Sequence, residues 1–451
     1  MNLSDIRLIY FIGIGGIGMS ALARYFNSRG VVVHGYDKTE SPLTRTLAAE
    51  GMQIHYDEDI SKIPQGVDLV VYTPAVPVEH AELLYFRKHG FPIKKRAEVL
   101  GIISRGMKTI AVSGTHGKTT TTTVTTHLLR EGGVNCSAFL GGIARNFASN
   151  FVEGTSDWVV VEADEYDRSF LHLSPDIAIL LSMDADHLDI YGDREQMLET
   201  GFKAFVRKIK DGGKLVLRQD LLPEFSDLKG LFPFGLEQGQ YRAANIRVEN
   251  GFFTFDYQSP KTEIKALQFS LPGRHNVENA TAAITVALQL GVSPEDIRKA
   301  LLSFRGIQRR FETIYRDDKV VYIDDYAHHP SELKAAINAA RELFPDRKIT
   351  GIFQPHLFSR TRDFAAGFAA ALDALDEIIL LEIYPARELP IPGVNSEMLI
   401  NLMQNPNSEV WKKSDLMDRL QHKNIDVLLT LGAGDIDRFV EPIGQWLEES
   451  N

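Results

Sequence analysis

The seven residues Gly114-Thr115-His116-Gly117-Lys118-Thr119-Thr120 leave few choices for the chain around them. They follow a short apolar run, Thr109 to Val112, and lead into a segment of helical length, so the order is strand, glycine turn, helix. In that order the glycines let backbone N–H groups turn inward and the helix N-terminus adds partial positive charge. Lys118 can then reach the outer phosphates of a nucleotide, and the Thr119 hydroxyl can hold Mg²⁺. The spacing departs from the common P-loop, because Val112 stands where an earlier glycine is usual. Seven threonines fill the eight positions 119 to 126. Threonine is a poor helix former, so a bound polyphosphate is the simplest agent to hold this helix start. The plain alternative is a glycine turn before an ordinary core helix.

At 451 residues the chain exceeds one hydrophobic core and suggests about three domains. Its net charge of −11 argues against nucleic-acid binding, which needs a basic face. The single cysteine, Cys136, excludes an internal disulfide and any cysteine-rich metal site, which fits a reducing cytoplasm. Residues 8 to 26 are mostly apolar, but their glycines and Arg24 read as a strand and turn rather than a signal peptide or membrane span. No membrane association is expected.

Taken in order, Arg7 to Ile12 has a buried-strand pattern and runs into Gly13-Ile14-Gly15-Gly16-Ile17-Gly18 and a helix. A second strand ends at Asp37, where a carboxylate can hold ribose hydroxyls. This fingerprint suits a dinucleotide or any nucleotide diphosphate, and a purely structural turn remains open. Val67 to Tyr72 is a strand running into Thr73-Pro74-Ala75, a stiff loop of the kind that binds ligands in open α/β sheets. A first boundary falls near residue 106.

In the second segment a strand from Trp158 delivers Glu162, followed by Asp164-Glu165-Tyr166-Asp167, and another runs into Asp184-Ala185-Asp186-His187. Carboxylates and a histidine at strand ends beside a phosphate loop point to an Mg²⁺ site; a helix cap and a core histidine are the plain versions. Residues 212 to 272 read as an antiparallel extension. Asn276 and Asn279 share one face of a helix start, as caps or as amides toward a nucleotide. Gly306 to Glu312 reads as a hinge into a third strand-and-helix set, whose strand ends carry Asp325-Tyr326-Ala327-His328 and Gln354 to Arg362. The expected fold is α/β with three domains: an N-terminal Rossmann-like domain (1–106), a central P-loop mononucleotide-binding domain (107–307) and a C-terminal Rossmann-like domain (308–451).

These motifs, together with Gly273-Arg274-His275-Asn276 and Arg310-Phe311-Glu312, occur in the order and approximate spacing of the Mur ligases of bacterial cell-wall synthesis, and the chain resembles that family over nearly its whole length. Ser169 to Pro175 and Phe353 to Thr361 resemble the branch that adds L-alanine to UDP-N-acetylmuramate. Tyr166, in contrast, resembles the recycling branch that attaches an intact tripeptide to the same sugar nucleotide.

The resemblance implies an ATP- and Mg²⁺-dependent cytoplasmic ligase, a monomer or homodimer, taking small-molecule substrates. It assigns Gly13, Gly15, Gly16, Gly18, Asp37, Thr73, Pro74 and Ala75 to the sugar nucleotide. Gly114, Thr115, His116, Gly117, Lys118, Thr119 and Thr120 go to ATP, with Asn276, Asn279, Arg310 and Asp325. Thr119, Glu162 and His187 become metal ligands, and Tyr326, His328 and Arg360 gather around the amino acid as the third domain closes over the nucleotide. Lys118, His187, His328 and Arg360 carry the catalytic expectations. His328 is the candidate base for the attacking amine, with solvent as the alternative. An NAD-linked oxidoreductase using the first fingerprint, and a regulator that binds nucleotide without turnover, are the rival readings.

Overall fold

The computed structural model describes residues 3–184, 191, 193–386 and 388–450. His187 therefore lies outside the described residues, with Asp186 beside it, and the metal and catalytic roles expected of it receive no structural account. Two compact units divide the chain. One comprises Met1–Ala244, Tyr257–Lys265 and Glu278–Ser303; the other comprises Asn245–Asp256, Ala266–Val277 and Phe304–Asn451.

The first unit holds two sheets. Strands β1 (Leu8–Ile12), β2 (Val32–Tyr36), β3 (Gln53–His55), β4 (Leu69–Tyr72) and β5 (Ile93–Lys95) form the first, in the order β3-β2-β1-β4-β5, all parallel. Helices α1 (Ile17–Asn27), α2 (Pro42–Ala49), α3 (Ala81–Lys88) and α4 (Arg96–Gly106) connect them. Parallel sheets are covered on both faces, which is why the strands read as unbroken apolar runs: Ile9 to Ile12 are 0% exposed. The strand order reverses between β1 and β4. The crevice at such a reversal is the usual ligand site of an open α/β sheet, and both the Gly13 turn and Thr73-Pro74-Ala75 follow those two strands.

The second sheet carries β6 (Lys108–Ser113), followed by helix α5 (Lys118–Glu131), then β7 (Ser137–Ala144), β8 (Ser149–Val152), β9 (Trp158–Glu162), β10 (Ile177–Leu180), β11 (Lys214–Arg218) and β12 (Leu231–Leu236). Strand β6 lies between β10 and β9, parallel to both, so the phosphate loop leaves the middle of the sheet. The extension was expected to be antiparallel, yet β12 pairs parallel to β11, with Leu215 opposite Leu231. The 3-10 turns over Gln219–Phe225 supply the crossover that a parallel pairing needs.

In the second unit, β13 (Glu312–Arg316), β14 (Val321–Asp325), β15 (Ile349–Phe353), β16 (Glu377–Leu380), β17 (Ser408–Val410) and β18 (Val427–Leu431) form a sheet in the order β13-β14-β18-β15-β16-β17. Only β13 is antiparallel. Helix α6 (Arg274–Gln289) precedes this sheet in the chain, and α7 (Pro330–Leu343) and α8 (Phe358–Asp363) follow β14 and β15. Strand β14 runs through Asp325, so Asp324 and Asp325 occupy successive strand positions and point to opposite faces. Asp324 goes inward at 0% exposure and pairs with Arg309 at 3.0 Å. No helix among the described residues is long and apolar enough to cross a membrane.

Candidate active site

The phosphate loop forms as a turn that only glycine fits. Gly117 has φ +79°, and a Cβ there would lie 2.6 Å from Asn279 Oδ1; Gly114 has φ +137°. Helix α5 starts on Gly117 with no side-chain cap, so its first N–H groups remain available to an anion. The threonine run has a second explanation besides a ligand. All seven threonines are buried, and the hydroxyls of Thr122, Thr123 and Thr126 donate to the carbonyl oxygens of Lys118, Thr119 and Thr122, one turn back. Burial against neighbouring elements therefore holds this helix where propensity does not.

Lys118 is fully engaged. Its ammonium donates to the Gly114 carbonyl oxygen at 2.8 Å and to both carboxylate oxygens of Glu165 at 2.9 and 2.8 Å. Burial alone would lower its pKa, but Glu165, Asp164 and Glu162 outweigh that and raise it, so the lysine keeps its charge. Burial pushes the Glu165 carboxyl up and Lys118 opposes the shift. Glu165, at 0% exposure, is the buried partner of Lys118, and sequence reasoning passed over it within an acid-rich stretch. The loop is braced further by Ser182, whose hydroxyl accepts the His116 backbone N–H at 3.0 Å and lies 2.8 Å from the Thr115 hydroxyl.

Glu162 ends β9 in register with Val112 on β6, which sets its carboxylate beside the start of the loop. A Cβ at Gly141 on β7 would overlap that carboxylate. Asn279 packs against the loop at Gly117, whereas the Asn276 amide turns back and donates to the Pro272 carbonyl oxygen at 2.6 Å.

A cavity of about 330 Å³ opens where the first two sheets of this unit meet. Gly16, Gly18, Thr73, Pro74 and Ala75 line it together with Glu162. Gly13, Gly15 and Asp37 do not. Asp37, expected at a ribose, braces the turn as well: its Oδ2 accepts the Gly15 N–H at 2.7 Å. Lys95 and Arg96 bring positive charge to the cavity wall from the start of α4, and the Lys94-Lys95-Arg96 run was the sequence signal that could have found them. Tyr166 lines the same cavity.

In the second unit Asp325 accepts the backbone N–H groups of Phe311 and Ala327, each at 2.7 Å. Burial pushes its carboxyl up to about 6 against the pull of Arg310. The guanidinium groups of Arg309 and Arg310 lie 5.2 and 5.1 Å from the centre of the Tyr326 ring. The Tyr326 ring meets His328 edge-on at 5.3 Å, and His328 meets His356 in the same way at 6.0 Å. The fourth ring, Tyr384, stacks on His356 at 5.7 Å. Burial holds His328 below the usual histidine range, Glu332 opposing and Arg360 assisting.

Arg360 rides on α8, whose start is held by Leu357 at φ +70°. That strained value is fixed by the Leu357 N–H donating to the Tyr384 carbonyl oxygen at 2.9 Å, and Glu388 accepts the Ser359 N–H at 2.9 Å. Glu332 and Glu388 were missed from the sequence, and His356 and Tyr384 were read only as members of polar strand-end clusters. Of these only Glu332, four residues after His328, left a helical-spacing signal.

Three family models match consecutive segments: the Mur ligase family catalytic domain over residues 8–108, the Mur ligase middle domain over 112–287, and the Mur ligase glutamate ligase domain over 309–434. The chain is 49% identical over 455 residues to the UDP-N-acetylmuramate–L-alanine ligase of Cytophaga hutchinsonii, covering 98% of this chain and 97% of that one. It is 50% identical over 453 residues to the enzyme of the same name from Flavobacterium psychrophilum, covering 100% of both. Among solved structures, a UDP-N-acetylmuramate-alanine ligase from Thermotoga maritima matches with a TM-score of 0.85 at 29% identity, over 98% of this chain and 99% of that one. A murein peptide ligase from Psychrobacter arcticus matches with a TM-score of 0.71 at 25% identity, over 98% of each chain. The phosphate loop, the glycine turn after β1 and the three-sheet architecture thus have one common source, and the chain belongs to the Mur ligase family.

Proposed function

We propose that this chain is an ATP-dependent ligase that joins L-alanine to the lactyl carboxylate of UDP-N-acetylmuramate in the cytoplasm, a step of peptidoglycan precursor synthesis. The observation that carries the reading is full-length identity of about one half to ligases of that specificity, against 25% to a murein peptide ligase of similar fold.

The γ-phosphoryl group of ATP passes to an oxygen of the lactyl carboxylate, ADP leaves, and the resulting acyl phosphate carries a good leaving group. The neutral amine of L-alanine attacks its carbonyl carbon, and the tetrahedral intermediate expels phosphate. No enzyme nucleophile is needed. The protein's work is to align groups that repel one another, and Lys118 offsets the charge on the transferring phosphoryl group. The uncapped start of α5 receives the nucleotide phosphates, and Asn279 steadies the loop. The sugar nucleotide occupies the cavity beneath the first glycine turn, where Lys95 and Arg96 face its diphosphate.

Thr119 and Glu162 fit Mg²⁺. They are hard oxygen donors beside the phosphate loop, and no group of three or more His, Cys, Asp or Glu among the described residues forms an all-protein cage. Mg²⁺ takes this kind of site, one or two protein oxygens with phosphate oxygens and water completing the shell. His187 is proposed as a further ligand from the family motif. When bound, the ion supplies charge neutralisation at the phosphates. In residues 308–451, Asp325 and Arg310 serve the nucleotide, Arg360 grips the carboxylate of L-alanine, and Tyr326 and His328 face its ammonium.

Phosphate release from ATP with Mg²⁺ and UDP-N-acetylmuramate tests the reading, with L-alanine compared against L-Ala-γ-D-Glu-diaminopimelate. Release is expected to depend on L-alanine. Release with the tripeptide alone would keep the mechanism and move the enzyme to recycling.

A further inference from the structure

His328 is held at one ring nitrogen. Its Nδ1 lies 3.1 Å from the Tyr326 carbonyl oxygen and 3.3 Å from Glu332 Oε2. Both neighbours are acceptors. A neutral imidazole has a single N–H, so two acceptors at Nδ1 place the hydrogen there and leave the Nε2 lone pair to receive a proton. Glu332 is itself fixed, because the same Oε2 accepts the His328 backbone N–H at 3.0 Å across the first turn of α7. The edge-on rings of Tyr326 and His356 limit rotation of the imidazole.

We propose that Glu332 is a positioning residue that fixes the Nδ1–H form of His328, so that Nε2 takes the proton the L-alanine ammonium must lose before it attacks. An ammonium N–H bond breaks, an Nε2–H bond forms, and the electron pair left on nitrogen makes the bond to the acyl carbon. The imidazolium so produced already directs its other N–H at a carboxylate, and its new proton later leaves to water. The charged surroundings favour this division of labour. Arg310, ahead of β13, and Arg360, on α8, both disfavour the imidazolium, and burial does the same; Glu332 opposes them. Asp325 at the end of β14 and His275 on α6 face Glu332, and burial pushes His275 down to about 4, which keeps it uncharged. His356, after β15, is the remaining titratable neighbour. The identity of the amine rests on the proposed function; the tautomer does not.

The test uses the full-length protein with ¹⁵N-labelled histidine, without amine or nucleotide, and two-bond ¹H–¹⁵N correlations assigned by loss in His328→Gln. The wild type is expected to show the proton on Nδ1. Glu332→Gln keeps an acceptor and should keep the tautomer, while Glu332→Ala should lose it or mix the two forms.

Turnover supplies the second readout. Removing the Glu332 charge lowers the His328 pKa, and a base works when neutral, so the acidic limb of kcat/KM for L-alanine should move to lower pH in Glu332→Gln. In Glu332→Ala, kcat/KM for L-alanine should fall roughly tenfold or more, on the scale of a lost base. Trapped acyl phosphate formed from ATP and UDP-N-acetylmuramate alone should be unchanged in both variants. A wild-type spectrum with the proton on Nε2, or an unmoved acidic limb in Glu332→Gln, overturns the inference. Because the spectrum is recorded without amine, an enzyme that proved to use the tripeptide would be recognised by phosphate release and leave the tautomer result standing.

Discussion

Gly13 to Gly16 leave β1, and Gly114 to Gly117 leave β6; each turn follows an interior strand that is parallel to both its neighbours and opens a helix that has no side-chain cap. Their equipment differs. The second turn carries its own cation, Lys118, clamped by the buried carboxylate of Glu165. The first carries none. One of its backbone donors, the Gly15 N–H, is taken by Asp37, and its cations arrive from α4. A Cβ on Gly18 would lie 2.9 Å from an Arg96 guanidinium nitrogen, so that cation lies over the start of α1. Under the proposed function, a resident lysine suits the second turn, which would stabilise charge as it moves between phosphate and carboxylate. The first, proposed only to hold a diphosphate, can borrow its cations from another helix.

The contrast makes Lys118→Ala the most damaging change. Losing a donor aimed at a transferring group costs on the order of 10²-fold or more in kcat, and phosphate release measures it. A matching removal at the first turn, Arg96→Ala, should instead raise KM for the sugar nucleotide with kcat nearly unchanged. Equal kcat losses would erase the distinction between the turns.

Gly117→Ala comes next. At φ +79° an alanine is strained by about 1 kcal/mol or more, and its Cβ would displace Asn279, so ATP affinity should fall roughly tenfold, as titration calorimetry would read. Gly15→Ala meets only movable side-chain atoms, Thr44 Cγ2 at 2.7 Å and Asp37 Oδ2 at 2.8 Å, and should weaken the sugar nucleotide by less.

The buried acids extend the comparison. Glu165 faces a lysine, whereas Glu82 on α3, at 0% exposure, receives the Tyr10 hydroxyl at 2.8 Å and the Asp59 backbone N–H, with the His55 ring 3.6 Å away. Burial pushes Glu82 up from 4.5 to about 7. A carboxyl raised in this way contributes its full stability below about 4.5 and loses it as pH rises through about 7. Glu82→Gln keeps an acceptor for Tyr10 and removes the ionised form. Its melting temperature should match the wild type near pH 4 and exceed it near pH 8.5, a difference on the order of 2–3 kcal/mol. A constant difference across that range would mean that Glu82 gains no charge on leaving the acidic range.

Much of this was legible because parallel strands covered on both faces write themselves as apolar runs, and because turns that need glycine write glycine. Lys118, Gly117 and Glu162 follow from local order alone. The partners do not. Lys118 meets Glu165 only because β9 lies beside β6, and nothing within Asp164-Glu165-Tyr166-Asp167 distinguishes the acid that turns inward. His356 meets Tyr384 because β15 and β16 are neighbours, a pairing that sequence order does not announce. The threonine run shows a different limit, since propensity weighs exposed helices, whereas these side chains are buried and three of their hydroxyls bond back to the helix's own backbone. Asp37 stands at the distance expected of a ribose ligand, and nothing in that spacing announces that it also accepts the Gly15 N–H.

That last residue yields the smallest and most discriminating test. If Asp37 braces the first turn, Asp37→Ala frees the Gly15 N–H and loosens the backbone around it without touching the second turn. A hydrogen bond to a charged acceptor contributes about 1.5–3 kcal/mol, part of which water restores at this half-buried position. Affinity for UDP-N-acetylmuramate should therefore fall by about tenfold, with ATP affinity and melting temperature little changed, and both titrations can be run on one sample. A ribose ligand would lose affinity too, so UDP and pyrophosphate, titrated separately, decide between the readings. A brace weakens UDP, whose diphosphate rests on the turn, and leaves pyrophosphate weakened to the same extent; a ribose contact weakens UDP and spares pyrophosphate.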